Sequence, residues 1–248
     1  MKVRVLLLTQ VVVYPADAGP KVKTLQVLRH LAARCEVVYC TYARSEQEVR
    51  DAQKLRSICR RVVTVPIKRS KLRDARFLVE SLLTGDSFLL RRDERVAMRE
   101  MVRKLLLQEQ IDVLHVDQLN MMRFVPSDWG GTVILDEHNA VWQVVERLAR
   151  RASNPLVRWM LGREVGLVRK LEGEACRRAH AVLAVSQHDA RALQEVAIGP
   201  SQLEVVPIAV DAEQFRATWA ARDPQPHRLF TIGTMFWPPN SEGVLWWL

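Results

Sequence analysis

The chain has 248 residues, 48% of them hydrophobic and 26% charged, which excludes a disordered tract, a collagen-like repeat and a disulfide-framed miniprotein. That length allows one large domain, or one domain and part of a second. Thirty-seven Lys and Arg against 28 Asp and Glu give a net charge of +9, so the surface favours anions such as phosphates, nucleic acid or acidic lipid headgroups.

Val3–Leu8 is a short apolar run closed by turn residues, the mark of a buried parallel strand. Lys2 and Arg4 before it and Ala16-Asp17-Ala18 after it also sketch a secretory signal, but Thr9-Gln10 splits the apolar run and the strand reading is preferred. Val22, Leu25, Leu28 and Ala32 then share one helix face. Glu36–Thr41 is a second strand, Ser45 to Cys59 a polar helix, and Val62–Pro66 a third strand. Helices are expected over 74–83 and 94–108, strands over Val113–Val116 and Thr132–Leu135, and a helix over 141–151. Asn154-Pro155 starts a long amphipathic helix, since a capping residue precedes proline at the first helical position. Ala181–Val185 is a sixth strand, with Ser186 and Asp189 as a helix start, and Leu203–Val206 a seventh. The alternation predicts an α/β fold, a Rossmann-like parallel sheet flanked by helices.

After Phe215 the composition changes. Residues 1–215 read as one domain, 216–228 as a proline-bearing linker, and 229–248 as the first strand and helix of a second domain, too few residues to bury a core. The four cysteines, Cys35, Cys40, Cys59 and Cys176, form no C-x-x-C pair and read as free thiols of a reducing compartment. No segment has the apolar length of a membrane span.

Parallel sheets bind ligands beyond the carboxyl ends of their strands. After the first strand, Gly19 opens a helix whose free N–H groups, with Lys21 and Lys23, suit a phosphate-bearing ligand; an ordinary turn with solvated lysines is the equal alternative. Neither a G-x-G-x-x-G fingerprint nor a P-loop is present. After the fourth strand come Asp117 and Gln118, and after the fifth Asp136, Glu137, His138 and Asn139, groups able to bind sugar hydroxyls or move protons. His138 is the best single candidate; His115, between apolar neighbours, reads as a core histidine, and Asp136 and Glu137 could be solvated caps. Successive residues on a strand point opposite ways, so no metal-ligand set is expected. Residues 143–180 carry nine Lys and Arg against four Glu, near Trp142 and Trp159, which suits either an anionic membrane surface or a solvated helix face. No nucleic-acid-binding module is recognisable.

Taken in order, four segments resemble the N-terminal half of family 4 glycosyltransferases, which have the two-domain GT-B fold. They are Gly19-Pro20-Lys21-Val22-Lys23; Leu135-Asp136-Glu137-His138-Asn139; Glu174 to Ser186, similar to the family's E-x-x-x-x-R-A-D-x-V-x-x-V-S; and Gly233-Thr234-Met235-Phe236-Trp237-Pro238-Pro239-Asn240 with Gly243, which looks like the glycine loop opening the second domain. Three departures stand out. Pro20 replaces a common second glycine, Pro207-Ile208-Ala209-Val210-Asp211 replaces P-N-G-V-D, and the family's E-x(7)-E pair has no counterpart up to Leu248.

The resemblance implies transfer of a sugar, of hexosyltransferase type, from a nucleotide-sugar donor to a glycan or lipid-linked acceptor with retention, without cofactor or metal. It implies that His138 faces the donor sugar, that Gly19, Lys21, Lys23, Gly233 and Asn240 serve the diphosphate, and that Asp117, Gln118, Glu137 and Asn139 line the substrate cleft. A cytoplasmic, peripheral place on the inner membrane face, in polysaccharide assembly, goes with it. An inert anion-binding fragment lacking the donor half and a sugar-nucleotide epimerase remain as alternatives.

Overall fold

Short apolar runs become strands because only the centre of a parallel sheet buries both faces of a strand. In the computed structural model, which describes residues 2–197, 202–213, 216, 231, 233, 235 and 238–248, seven such runs pair in parallel in the order β3-β2-β1-β4-β5-β6-β7. They are β1 (Arg4–Thr9), β2 (Glu36–Ala43), β3 (Arg61–Pro66), β4 (Val113–Asp117), β5 (Thr132–Glu137), β6 (Ala181–Ala184) and β7 (Gln202–Val205). The expected fold class is the observed one. β1, whose Leu6, Leu7 and Leu8 are fully buried, lies mid-sheet, and the strand order reverses between it and β4.

Helices cover both faces. On one, α1 (Gly19–Arg34), α2 (Glu46–Gln53) and a 3-10 turn (Lys54–Ser57) pack Leu25, Leu28, Ala52 and Leu55 against Leu7, Val37 and Tyr39. On the other lie α3 (Lys71–Thr84), α4 (Phe88–Arg91), α5 (Val96–Gln108), α6 (Val141–Arg151), α7 (Pro155–Arg178) and α8 (Gln187–Gln194), with a second 3-10 turn over Leu119–Phe124. Here Met98, Val102, Trp142, Val168 and Leu193 meet Leu6, Leu8, Leu114 and Leu135.

Local signals set most ends. Asn154 Oδ1 accepts the Leu156 and Val157 N–H groups at 2.9 and 3.2 Å, and Ser186 Oγ accepts Asp189 N–H at 3.1 Å. Gly85, at φ +72°, ends α3 in the left-handed region that favours glycine. The helix expected over 45–59 instead tightens into the 3-10 turn at Lys54, and the ones expected at 74 and 94 start at Lys71 and Val96. None of the four cysteines forms a disulfide among the described residues.

The chain divides into Met1–Val210 and Asp211–Leu248. The expected boundary at Phe215, nearly all of the 216–228 linker and most of the 229–232 strand lie outside the described residues. The second unit contains α9 (Pro238–Trp247). No helix among the described residues is long and apolar enough to cross a membrane.

Candidate functional site

Register carries the chemistry to one place. β4 and β5 pair Asp117 with Asp136 and His115 with Ile134, so His115, Asp117 and Asp136 share the sheet face that α1 covers. Their carboxyl ends lie beside the point where strand order reverses, the crevice in which open parallel sheets bind ligands.

Two linked clusters form there. In the first, the Lys23 ammonium reaches from α1 to pair with Asp136 Oδ1, both groups almost fully enclosed. His115 Nε2 lies 3.2 Å from the other Asp136 oxygen. Burial by itself would raise the Asp136 carboxyl, but the hydrogen bond and charge of His115 and the Lys23 ammonium outweigh it and hold the group below its ordinary value. In the second, His138 Nε2 lies 3.0 Å from Asp117 Oδ1 and its Nδ1 lies 3.3 Å from Gln118 Nε2. An amide N–H can only donate, so Nδ1 accepts and Nε2 carries the proton toward the carboxylate. Thr24 Oγ1, on α1, donates to the same Asp117 oxygen at 2.9 Å.

Gln118 joins the clusters at a conformational cost. Its backbone has φ 74° and ψ 151°, a region L-residues rarely enter, worth about 1–3 kcal/mol of strain. The conformation is secured by its N–H, which donates to the Asp136 carbonyl at 2.9 Å. Asn120 and Gln10 bridge the loops after β4 and β1 at 3.3 Å.

The structure sorts the expected residues. Asp117, Gln118 and His138 converge, and Asn139 is exposed beside them. Gly19 begins α1, whose N-cap Ala18 offers no side-chain hydrogen bond and whose first turn holds no acid, leaving the first N–H groups uncapped. Lys21 is ion-paired with Asp17 at 2.8 Å. Lys23 is not at the helix mouth: its ammonium is buried on Asp136, because α1 turns that face to the sheet. Gly233 and Asn240 belong to the second unit, where a Cβ on Gly233 would come within 3.2 Å of Asn240 Nδ2.

Asp136 and Glu137 are buried rather than solvated caps. Strand alternation turns Glu137 to the opposite face, where neither carboxyl oxygen has a partner in hydrogen-bond geometry. Burial, then the nearby Glu172 charge, push its carboxyl well up, against a smaller contribution from the Leu119 amide. Glu172 accepts the Val141 and Trp142 N–H groups at 2.6 and 2.9 Å, and burial raises it to about 7. His115 is buried as expected, but as a partner of Asp136 rather than among apolar side chains alone.

Sequence reasoning missed Thr24 and the Lys23–Asp136 pair. It also expected no metal-ligand set, yet Asp117, Asp136 and His138 bring one ligand atom each within 4.8 Å of one another. Lys23 and Thr24 already engage both carboxylates.

The family description "Glycosyltransferase Family 4" matches residues 19–214. Among solved structures, sucrose-phosphate synthase from Thermosynechococcus elongatus superposes with TM-score 0.55 at 13% identity, over 89% of this chain and 53% of that one. A UDP-glucose: anthocyanidin 3-O-glucosyltransferase solved with UDP gives TM-score 0.49 at 12% identity, over 84% and 53% respectively. The chain thus spans about half the length of these structures. No curated protein sequence matches the chain.

Proposed function

Because the chain belongs to glycosyltransferase family 4, we propose that it supplies the acceptor-side half of an enzyme that moves a sugar from a nucleotide-sugar donor to a glycan or lipid-linked acceptor. The observation that carries this reading is the Asp117–His138–Gln118 arrangement at the strand-order reversal, held by Thr24 and by a strained backbone. His138 Nε2–H is committed to Asp117, whereas its Nδ1 has only the longer Gln118 contact. A sugar hydroxyl replaces that amide and donates to Nδ1.

The uncapped N–H groups at Gly19 and Lys21 take the diphosphate, whose charge grows as the glycosidic bond breaks. Lys21 reaches the phosphate by exchanging Asp17 for it. Asn139 and Gln118 contact the acceptor. Lys23 and Glu137, both buried, hold the strand ends in place rather than touch substrate. The reaction proceeds with retention and without a metal or cofactor, in polysaccharide or glycoconjugate assembly at the cytoplasmic membrane face.

The test is transfer of label from radioactive nucleotide sugars to a membrane extract by the full-length protein. Labelled glycan or glycolipid is expected. Donor isomerisation without an acceptor would replace this reading with an epimerase, and no turnover of any donor would leave an inert anion-binding protein.

A further inference from the structure

The helix α3 turns part of its apolar surface the wrong way for a globular protein. Leu72, Val79 and Leu83 recur at i, i+7 and i+11, one face of the helix, yet they are 85%, 56% and 82% exposed. The opposite side of the same helix is buried at Ser81. Beside it, the start of α7 exposes Leu156, Val157 and Trp159. The two helices are fastened together, for Arg163 of α7 donates to both the hydroxyl and the carbonyl of Ser81. Between them runs a cleft of about 160 Å³ lined by Leu78, Leu82, Phe88, Leu89, Trp159 and Met160. A contiguous apolar patch of this kind marks an interaction surface.

Charge identifies the partner. Residues 68–84 carry five Lys and Arg against two acids, and residues 146–164 carry five against two. Lys71, Arg73 and Arg158 are exposed around the apolar residues, and Arg76 is ion-paired with Glu80 at 2.7 Å. An exposed tryptophan and leucines inside a cationic ring match the interface of an anionic bilayer, apolar just below the headgroups and negative above them.

The structure also corrects where the basic segment 143–180 could act. Trp142 is buried, donates to the Ala192 carbonyl at 3.1 Å and lies under the Arg169 guanidinium at 4.5 Å. Arg177 and Arg178 donate to the Val196 and Val125 carbonyls. Several basic side chains of that segment's second half are therefore engaged in internal contacts, whereas the first turns of α7 lie against α3.

We propose that α3 and the first turns of α7 form one docking face for an anionic membrane surface, with Leu72, Leu83 and Trp159 inserted among the headgroups. The proposal deepens the lipid-linked-acceptor reading, but its test needs no turnover, so either can fail alone.

The experiment is co-sedimentation of the 248-residue chain with vesicles of phosphatidylcholine alone or mixed with phosphatidylglycerol, at low and high salt. Binding is expected only to the mixed vesicles and weakens as salt screens the charges. Leu83→Ser with Trp159→Ser lowers partitioning roughly tenfold or more, and Lys71→Gln with Arg73→Gln lowers it about fivefold per charge. Arg103→Gln with Lys104→Gln, on α5, is the matched charge control and leaves binding within about twofold. Circular dichroism confirms that each variant keeps its helix content. Equal binding of the Leu83/Trp159 variant and the unchanged chain would overturn the proposal, as would equal binding to both lipid mixtures. Self-association abolished by the Leu83/Trp159 change, with no vesicle binding, would assign the face to a second copy of the chain instead.

Discussion

Lys23→Met removes one partner of a buried ion pair and little else, since methionine keeps most of the stem volume. Lys23 is 1% exposed and Asp136 is fully enclosed, so the variant strands a carboxylate that water cannot reach. Removing one member of such a pair costs about 3–5 kcal/mol. His115 still bonds the second Asp136 oxygen, which places the loss at the lower end, about 3 kcal/mol. For a chain of this size that is roughly 6–12 °C in thermal midpoint.

The sign of the pH dependence follows from Asp136. In the unchanged protein its carboxyl is held below the ordinary value, so its contribution is present above the unfolded value and fades as pH falls through the folded one. Without the ammonium, burial dominates and raises the carboxyl, so acid relieves the variant while it weakens the parent. Urea unfolding followed by circular dichroism at pH 7 and at about pH 5 should show the deficit shrinking with acid. Adding Asp136→Asn should recover much of it at pH 7. A loss below about 1 kcal/mol at pH 7, within the range of solvated pairs, would show that Lys23 and Asp136 are not a desolvated pair.

Glu172 gives a slope of opposite sign. Its folded value of about 7 lies above the unfolded 4.5, so its contribution is intact below pH 4.5 and is lost as pH rises toward 7, up to about 3 kcal/mol. Urea titrations from pH 5 to 8 should show that decline, and Glu172→Gln should flatten it. In a turnover assay of the proposed enzyme, His138→Ala should lower kcat about a hundred- to a thousandfold, the range for one oriented polar contact in a transition state, and also lower the melting temperature, because the buried Asp117 carboxylate loses a hydrogen bond. His115→Ala should lower the melting temperature by removing a bond to the buried Asp136 carboxylate and leave kcat nearly unchanged. Near-normal kcat in His138→Ala, measured beside both melting curves, would remove that residue from the site.

What could be read in advance depended on how far each element's partners lie along the chain. Val113–Asp117 and Thr132–Glu137 are continuous apolar runs that end in polar residues, so both the strands and the side chains at their mouths were visible. Asn154 and Ser186 cap by contacts two or three residues away. By contrast, α4 was invisible: its first turn is held by Glu164 of α7, which accepts from Ser87 Oγ at 2.7 Å and from Leu89 N–H at 3.2 Å across more than seventy residues. Lys23 was misread for the same reason. A lysine in a helix's second turn looks solvated unless its partner, 113 positions on, is known. The exposed stripe of α3 was hidden differently, because an apolar helix face in a sequence is read as facing the core.

The charge balance of the site fixes how the proposed donor must lie. Lys23 and Asp136 cancel within the first cluster. His138 donates through Nε2 to the Asp117 carboxyl at the end of β4 and accepts at Nδ1. A diphosphate placed against that carboxylate would be repelled, and at so buried a group the repulsion is weakly screened. The same phosphates are attracted at the start of α1, where uncapped N–H groups and the helix dipole supply positive potential, once Lys21 exchanges Asp17 for them. The donor proposed here therefore has one favourable orientation: phosphates toward Gly19 and Lys21, sugar toward Asp117 and His138.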